Sequence, residues 1–387
     1  MLDPRIARWA KTLVGYCLDV QPGQVVVITA SPLAEPLIAA TYREVLRAGA
    51  HPIVNAQLPG LNKILLEDGS EEQIGWVSPA DRARMEAANA TLGINAPVNT
   101  RALTGVDPAR QAIQRRAERE LRGIHQRREA EGLLHWCGTL YPTQAAAQDA
   151  DMALDDFTEF VFQACFLNEE DPGAAWAALG RQQQRYVDWL RGKHDVRVRG
   201  TDTDLRLSIA GRTFINSDGK RNFPSGEFFT GPVEDSVEGH IRFTIPSAYN
   251  GRGVQDIRLT FERGRVVEAH AAQGEAFLGE MLEMDAGARY VGEFAFGNNT
   301  GITRGIRNIL YDEKIGGTIH MALGESYPET GGQNHSALHW DMICDLRPEA
   351  GGGEVWVDDT LFLKDGKLVL ADEPAPSHEG HGVNSSA

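Results

Sequence analysis

The sequence predicts an α/β N-terminal domain with a Rossmann-like parallel sheet, plus a β-rich α+β C-terminal domain. Three observations predict it. At 387 residues the chain is longer than one hydrophobic core usually organises. Its first half alternates β-branched runs with runs of helical spacing. From Val196 the hydrophobic period changes from about 3.6 residues to about 2. The expected boundaries are 1–193, 194–372 and a disordered tail, 373–387.

The opening MLDPRIARWAKTLVGYCLDV has helix-like apolar spacing and no secretory-signal pattern, so it reads as part of the fold. Gln24–Ala30 (QVVVITA) reads as a strand buried on both faces, Pro32–Ala50 as a helix stopped at Gly49, and Pro52–Ala56 as a second strand. Strand, helix and strand in succession imply a right-handed parallel crossover. The pattern continues with a helix over Pro79–Asn89, a strand over Thr91–Ala96 and a charged helix over Asp107–Ala130. No Gly-x-Gly-x-x-Gly follows the first strand and no Walker loop is present, so this topology carries no nucleotide implication. The arginines of Arg110–Arg128 are interleaved with Glu118 and Glu120 around a narrow apolar stripe, which suits a solvated helix face.

After the strand-like LLHWCGTLYPT, helices over Leu154–Phe166 and Pro172–Gly192 carry aromatics at core spacing. Beyond Val196, short alternating runs are separated by turns such as Arg263-Gly264 and Asp365-Gly366, as an antiparallel meander or barrel requires. One helix, near Gly274–Asp285, interrupts them. His378 and His381 fall in the Pro/Gly/Ser-rich tail and are expected to face solvent.

Composition excludes several classes of function. With 42% hydrophobic and 24% charged residues, and no apolar run near the roughly 18 to 20 residues that span a bilayer, no membrane partner is expected. A net charge of −16 without a dense basic face argues against nucleic acid. Cys17, Cys137, Cys165 and Cys344 are far apart and form no Cys-x-x-Cys pair, which suits reduced thiols and a cytoplasmic location.

The chemistry concentrates in Ile319–Asp345, IHMALGESYPETGGQNHSALHWDMICD. On a strand His339 and Asp341 point to one face and Leu338, Trp340 and Met342 to the other; Thr318, His320 and Ala322 would likewise share a face. An imidazole and a His-x-Asp pair on neighbouring strands make a metal nest. Glu227, between Pro/Gly turns and two phenylalanines, and Glu293, after a glycine in an apolar run, are acids whose burial is costly unless they pair or bind a cation. Three carboxylates with two imidazoles suit a two-metal hydrolase better than a structural zinc site, which would bring cysteines.

PSGEFFTGP, Gly292-Glu293, LYDEKIGGTIHMALGESY and GGQNHSALHWDMI resemble, in this order, the motifs of the metallo-aminopeptidase family that includes aminopeptidase T, aminopeptidase S and PepS. YPTQAAAQDADM before a Phe-rich helix is similar to that family's earlier signature, so the resemblance runs to about residue 370. It implies that Glu227, Glu293, His320, Tyr327, His339 and Asp341 surround two divalent cations (zinc, cobalt or magnesium), in a metal-binding C-terminal domain of a homodimer. The implied reaction is hydrolysis of the N-terminal residue from a peptide substrate by water activated between two metals. Glu293, Tyr327 and Glu313 are candidate catalytic residues: Glu293, or alternatively Glu227, as proton carrier, Tyr327 as ligand or oxyanion donor, Glu313 as base or as anchor of the substrate's amine. Lys314 and His335 depart from the family pattern and are expected to alter the substrate-facing wall. Ring-cleaving dioxygenases of the dihydroxypyridine type are similar over the same region and would hold one iron with His320, His339 and Asp341.

Overall fold

The computed structural model describes residues 3–249 and 251–369; the expected tail, with His378 and His381, lies outside the described residues. A five-stranded parallel sheet has the order His51–Ala56, Val25–Ala30, Ala90–Asn95, His135–Leu140, Asn222–Phe223. Val25–Ala30 has neighbours on both edges and is covered on both faces. Val26 and Ile28 pack into the large first core with Trp9 and Leu37, and Val27 packs with Ala88 and Leu134. That environment explains the uninterrupted β-branched run.

Two further sheets are antiparallel. The larger has nine strands, among them Asp195–Gly200, Thr203–Ser208, Glu238–Phe243, Arg252–Glu262 and Gly353–Val357. Its hairpin turns sit at the sequence-predicted places: Arg263 and Gly264 have φ of 47° and 78°, Asp365 and Gly366 of 46° and 76°. Paired positive φ values match the strand twist in a tight hairpin. The smaller sheet has five strands in the order His339–Asp345, Thr318–Gly324, Val291–Gly297, Glu227–Thr230, Ile215–Ser217. Both sheets share one apolar core, to which the smaller gives Phe228, Phe294, Phe296, Met321, Trp340 and Met342.

Helices form at Glu35–Arg47, Pro79–Ala87, Leu154–Ala164, Pro172–Leu190 and Glu275–Leu282, within the ranges their spacing predicts. The charged stretch differs, forming two helices, Pro108–Ala117 and Arg119–Ala130, that meet at Glu118. Its narrow apolar stripe buries only Ile124, so no packing surface holds a single straight rod. The two halves of the chain also interleave. Phe223, Ile302, Ile306, Tyr311 and Ile315 join the first core, while Tyr186, Val187 and Leu190 join the second.

Candidate metal centre

The smaller antiparallel sheet divides its two faces by alternation. Ile319, Met321 and Leu323 of one strand and Trp340, Met342 and Cys344 of the next point into the core. His320 and Ala322, with His339 and Asp341, therefore share the opposite face. In the ladder Ala322 lies between Asp341 and Glu293, and Ala295 lies between His320 and Phe229. Two alanines thus keep the floor low where larger side chains would fill it.

Glu293 reaches this face only because the strand carries a bulge. Val291 pairs with Leu323, but Glu293 pairs with Ala322, so Gly292 is the extra residue. Val291 is in the core, and alternation counted from it would send Glu293 there too. The bulge resets the phase. Glu227 opens the neighbouring strand opposite Gly297, with Phe228 turned to the core. Buried Gln183 secures that start, its amide donating to the Glu227 carbonyl at 3.0 Å and the Ser217 carbonyl at 3.2 Å.

The side chains converge. His320 Nε2 lies 3.4 Å from Glu293 Oε1 and 3.6 Å from Glu227 Oε2. His339 Nε2 lies 3.3 Å from Glu293 Oε2 and 3.5 Å from Asp341 Oδ1. In two groups, Glu293–His339–Asp341 and Glu313–His320–Asp341, the donor atoms all fall within 4.8 Å of one another. His339 Nδ1 is 2.9 Å from the Glu325 carbonyl, a contact that fixes the tautomer with Nε2 free to ligate. Lys314, fully buried, pairs with Glu313 and brings Nζ to 3.5 Å from Glu227 Oε1. The Tyr327 ring packs edge-on against His339 at 5.1 Å and against Phe229 at 5.3 Å, and is 38% exposed at the mouth.

These residues fit divalent cations. Glu227 Oε2, Asp341 Oδ1 and both His320 nitrogens are buried without a hydrogen-bond partner among the described residues. Orphaned polar atoms of this kind are costly unless something unseen satisfies them. The spacings of 3.3–3.6 Å are long for hydrogen bonds but match ligand–ligand edges of about 3.4 Å around a tetrahedral ion with bonds near 2.1 Å. Four carboxylates (Glu227, Glu293, Glu313, Asp341) face one ammonium, so with neutral imidazoles three negative charges lack a partner.

The protonation pattern expresses that deficit. Burial opposes charge on both imidazoles, yet the Glu293 carboxylate raises His320 to about 9, and Asp341 with Glu293 raises His339 to about 12. Burial likewise opposes ionised Asp341, but His339 holds it at about 2. Burial lifts Glu313 to about 8 and Glu227 above the ordinary carboxylate range. For Lys314 the Glu227 and Glu313 carboxylates outweigh burial and keep the ammonium charged.

Every residue singled out as a ligand from sequence lies in or against this cluster, with Tyr327 contributing its ring contact to His339. His335 stands outside it, on the exposed loop, 3.3 Å from Glu325 Oε1. Lys314 was expected in the substrate-facing wall; the structure buries it against Glu227. Gly297 explains why. A Cβ there would come 2.2 Å from the Ile315 carbonyl, so the glycine lets the 313–315 segment cross the strand and lower both side chains into the site. Gln183 was read only as part of a helix and carries no sequence signal of its contact with Glu227.

The family described as "Thermophilic metalloprotease (M29)" matches residues 2–367. Aminopeptidase 2 of Geobacillus stearothermophilus is 29% identical, over 93% of this chain and 96% of its own length. Aminopeptidase T of Thermus thermophilus is 27% identical over 87% and 91%, and Aminopeptidase AmpS of Bacillus subtilis 27% identical over 84% of each. The solved structure of wild-type AmpT from Thermus thermophilus has the same fold, with a TM-score of 0.81 over 95% of this chain and 99% of that one at 24% identity. None of these relatives supports the ring-cleaving alternative. Among the described residues no helix is long and apolar enough to cross a membrane.

Proposed function

The chain belongs to the thermophilic metalloprotease (M29) family, whose members are hydrolases, and from that premise we propose that it is a metal-dependent aminopeptidase using two divalent cations to remove the N-terminal residue of a peptide. The observation that carries this reading is the set of buried, unpartnered donor atoms on one sheet face: Glu227 Oε2, His320 Nε2 and Asp341 Oδ1, with Glu293 between the two imidazoles. Glu227, Glu293, His320, His339 and Asp341 would hold the cations, with Tyr327 at the mouth. When bound, such ions lower the pKa of a water toward neutrality and polarise a carbonyl oxygen.

The chain's own groups supply the rest. Glu293, with one oxygen against His320 and the other against His339, would help hold both cations. We assign proton transfer to Glu313, which is half-buried, lies beside Lys314, and is raised to about 8, so that it can take a proton near neutral pH and return it to the leaving amine. Tyr327, whose phenol is kept protonated by desolvation and the nearby carboxylates, would donate a hydrogen bond to a developing oxyanion. The Phe229 and Tyr327 rings form an apolar wall for the substrate's first side chain. We further read residues 1–193 as scaffold and 194–372 as the metal-holding part of a cytoplasmic homodimer, testable by light scattering and fractionation.

The test is metal analysis of purified protein alongside hydrolysis of aminoacyl-anilides, before and after chelation. Two metals per chain and release abolished by chelator, then restored by zinc, cobalt or magnesium, are expected. One iron per chain, with oxygen uptake on a hydroxylated pyridine and no anilide release, would sink the reading.

A further inference from the structure

Lys314 is the feature that the proposed chemistry leaves unexplained. Its side chain is fully buried, and a buried ammonium is costly unless carboxylates meet it. Two do, Glu313 and Glu227 Oε1. The backbone around it is pinned: Lys314 N donates to the Tyr311 carbonyl at 2.9 Å, and Asn299 N donates to the Lys314 carbonyl at 3.0 Å. Ile315 passes over Gly297 too closely for any Cβ. The ammonium is therefore held inside the fold, and its ion-pair contacts lie on the Glu227 and Glu313 side of the cluster. Glu293, His339 and Asp341 form a ligand group without a lysine contact, whereas Glu227 and Glu313 each give an oxygen to Lys314.

We propose that Lys314 is a positioning residue serving as a built-in counter-cation: by engaging Glu313 and one Glu227 oxygen it makes the two cation positions unequal, the one beside Glu227 and His320 being the weaker. This rests on the two-cation reading above. A divalent ion at the Glu227 side must bind next to a fixed positive charge and with one Glu227 oxygen already engaged. An ion held by Glu293, His339 and Asp341 keeps all its ligand oxygens out of ion-pair contact with the lysine, whose charge reaches that group only at longer range, through Asp341.

Cobalt titration of the chelated full-length protein, followed by visible absorbance and calorimetry, tests the proposal. The wild type should load in two steps whose affinities differ at least about tenfold, the usual scale for an outer-shell partner. Lys314→Met should tighten the weaker step by about tenfold or more and leave the stronger step in place. The double variant Glu313→Gln/Lys314→Met removes both charges of the pair, and so decides the matter if the single variant does not fold. A wild type that binds only one cobalt would overturn the two-cation reading on which the proposal rests, even if the variants bound two. Two coincident steps in the wild type, or a weaker step unmoved in the variants, overturns it. No cobalt binding by any form would instead overturn the metal reading on which it depends.

Discussion

Gly292→Ala is the substitution whose outcome the geometry specifies most closely. The residue is the bulge that turns Glu293 from the core to the metal face. A Cβ on it would come 2.3 Å from the Gly324 carbonyl oxygen and 2.3 Å from that of Glu325, roughly 1 Å short of ordinary contact. The methyl has no flexible neighbour to displace, because both obstacles are backbone. Overpacking of this kind costs about 1–3 kcal/mol. The second obstacle has a further effect, since the Glu325 carbonyl is the acceptor that orients His339. A shift of about 1 Å in Glu293 and His339 together should lower metal affinity about 10- to 100-fold and turnover on the order of 100-fold. The assays are thermal unfolding, cobalt affinity and anilide hydrolysis. Gly279→Ala is the control: it lies in a helix with nothing within 4 Å of its Cβ and should be neutral or stabilising by up to about 1 kcal/mol. A Gly292→Ala protein that kept wild-type metal affinity and turnover would refute the assignment of the bulge as the device that aims Glu293.

Four other outcomes follow from the same coordinates. Glu227→Gln should reduce metal content toward one ion per chain and abolish most anilide release; unchanged metal content and rate would remove Glu227 from the ligand set. Phe296→Ala deletes a ring packed against Phe228, Phe294 and Phe362 on the core face, and should cost about 3–5 kcal/mol in urea unfolding with little change in cobalt affinity. Gln183→Leu removes the side-chain donor to the Glu227 carbonyl, while the Ser217 carbonyl keeps Gly226 N and Ser225 Oγ, and should cost about 1–3 kcal/mol; a variant as stable as wild type would show the contact to be idle. The pH dependence should change sign with metal. His320 and His339 are raised in the chelated fold to about 9 and about 12, and a raised value means the folded state binds more protons than the unfolded one. Stability of the chelated protein is therefore fullest below about 6.5 and lost as pH rises toward 9 and beyond. The raised Glu227 and Glu313 act in the same direction. Metal competes with those protons, so the added stability of the loaded protein should grow over the same interval. Melting curves with and without chelator from pH 6 to 9 read both trends, and parallel curves would contradict them.

The site was legible where local period decides orientation. His339 and Asp341 are two apart, with Trp340 and Met342 between and beyond them, and the alternation that assigns their faces is a property of any strand. His320 between Ile319 and Met321 is equally plain. What the sequence hid depends on tertiary contacts. The phase of Glu293 is set by a bulge that forms against the Gly324 and Glu325 carbonyls, and an apolar run such as VGEFAF does not announce it. The burial of Lys314 depends on the absence of a side chain at Gly297, a residue remote from it in sequence. In the parallel sheet, the fifth strand is the two residues Asn222–Phe223, too short to carry any period.

The alternation also separates the two kinds of perturbation. Within one strand Phe294 and Phe296 face the core while Glu293 and Ala295 face the ligands. Core-face substitutions should therefore move unfolding and spare the metal, and site-face substitutions should do the reverse. Gly292 is the exception, because it is neither face: it is the point where Val291 in the core and Glu293 at the metal are brought into one strand. If stability and metal affinity were coupled at Phe296 as strongly as at Gly292, the sheet would be deforming as a unit. The cause would then be loss of core support and not loss of phase.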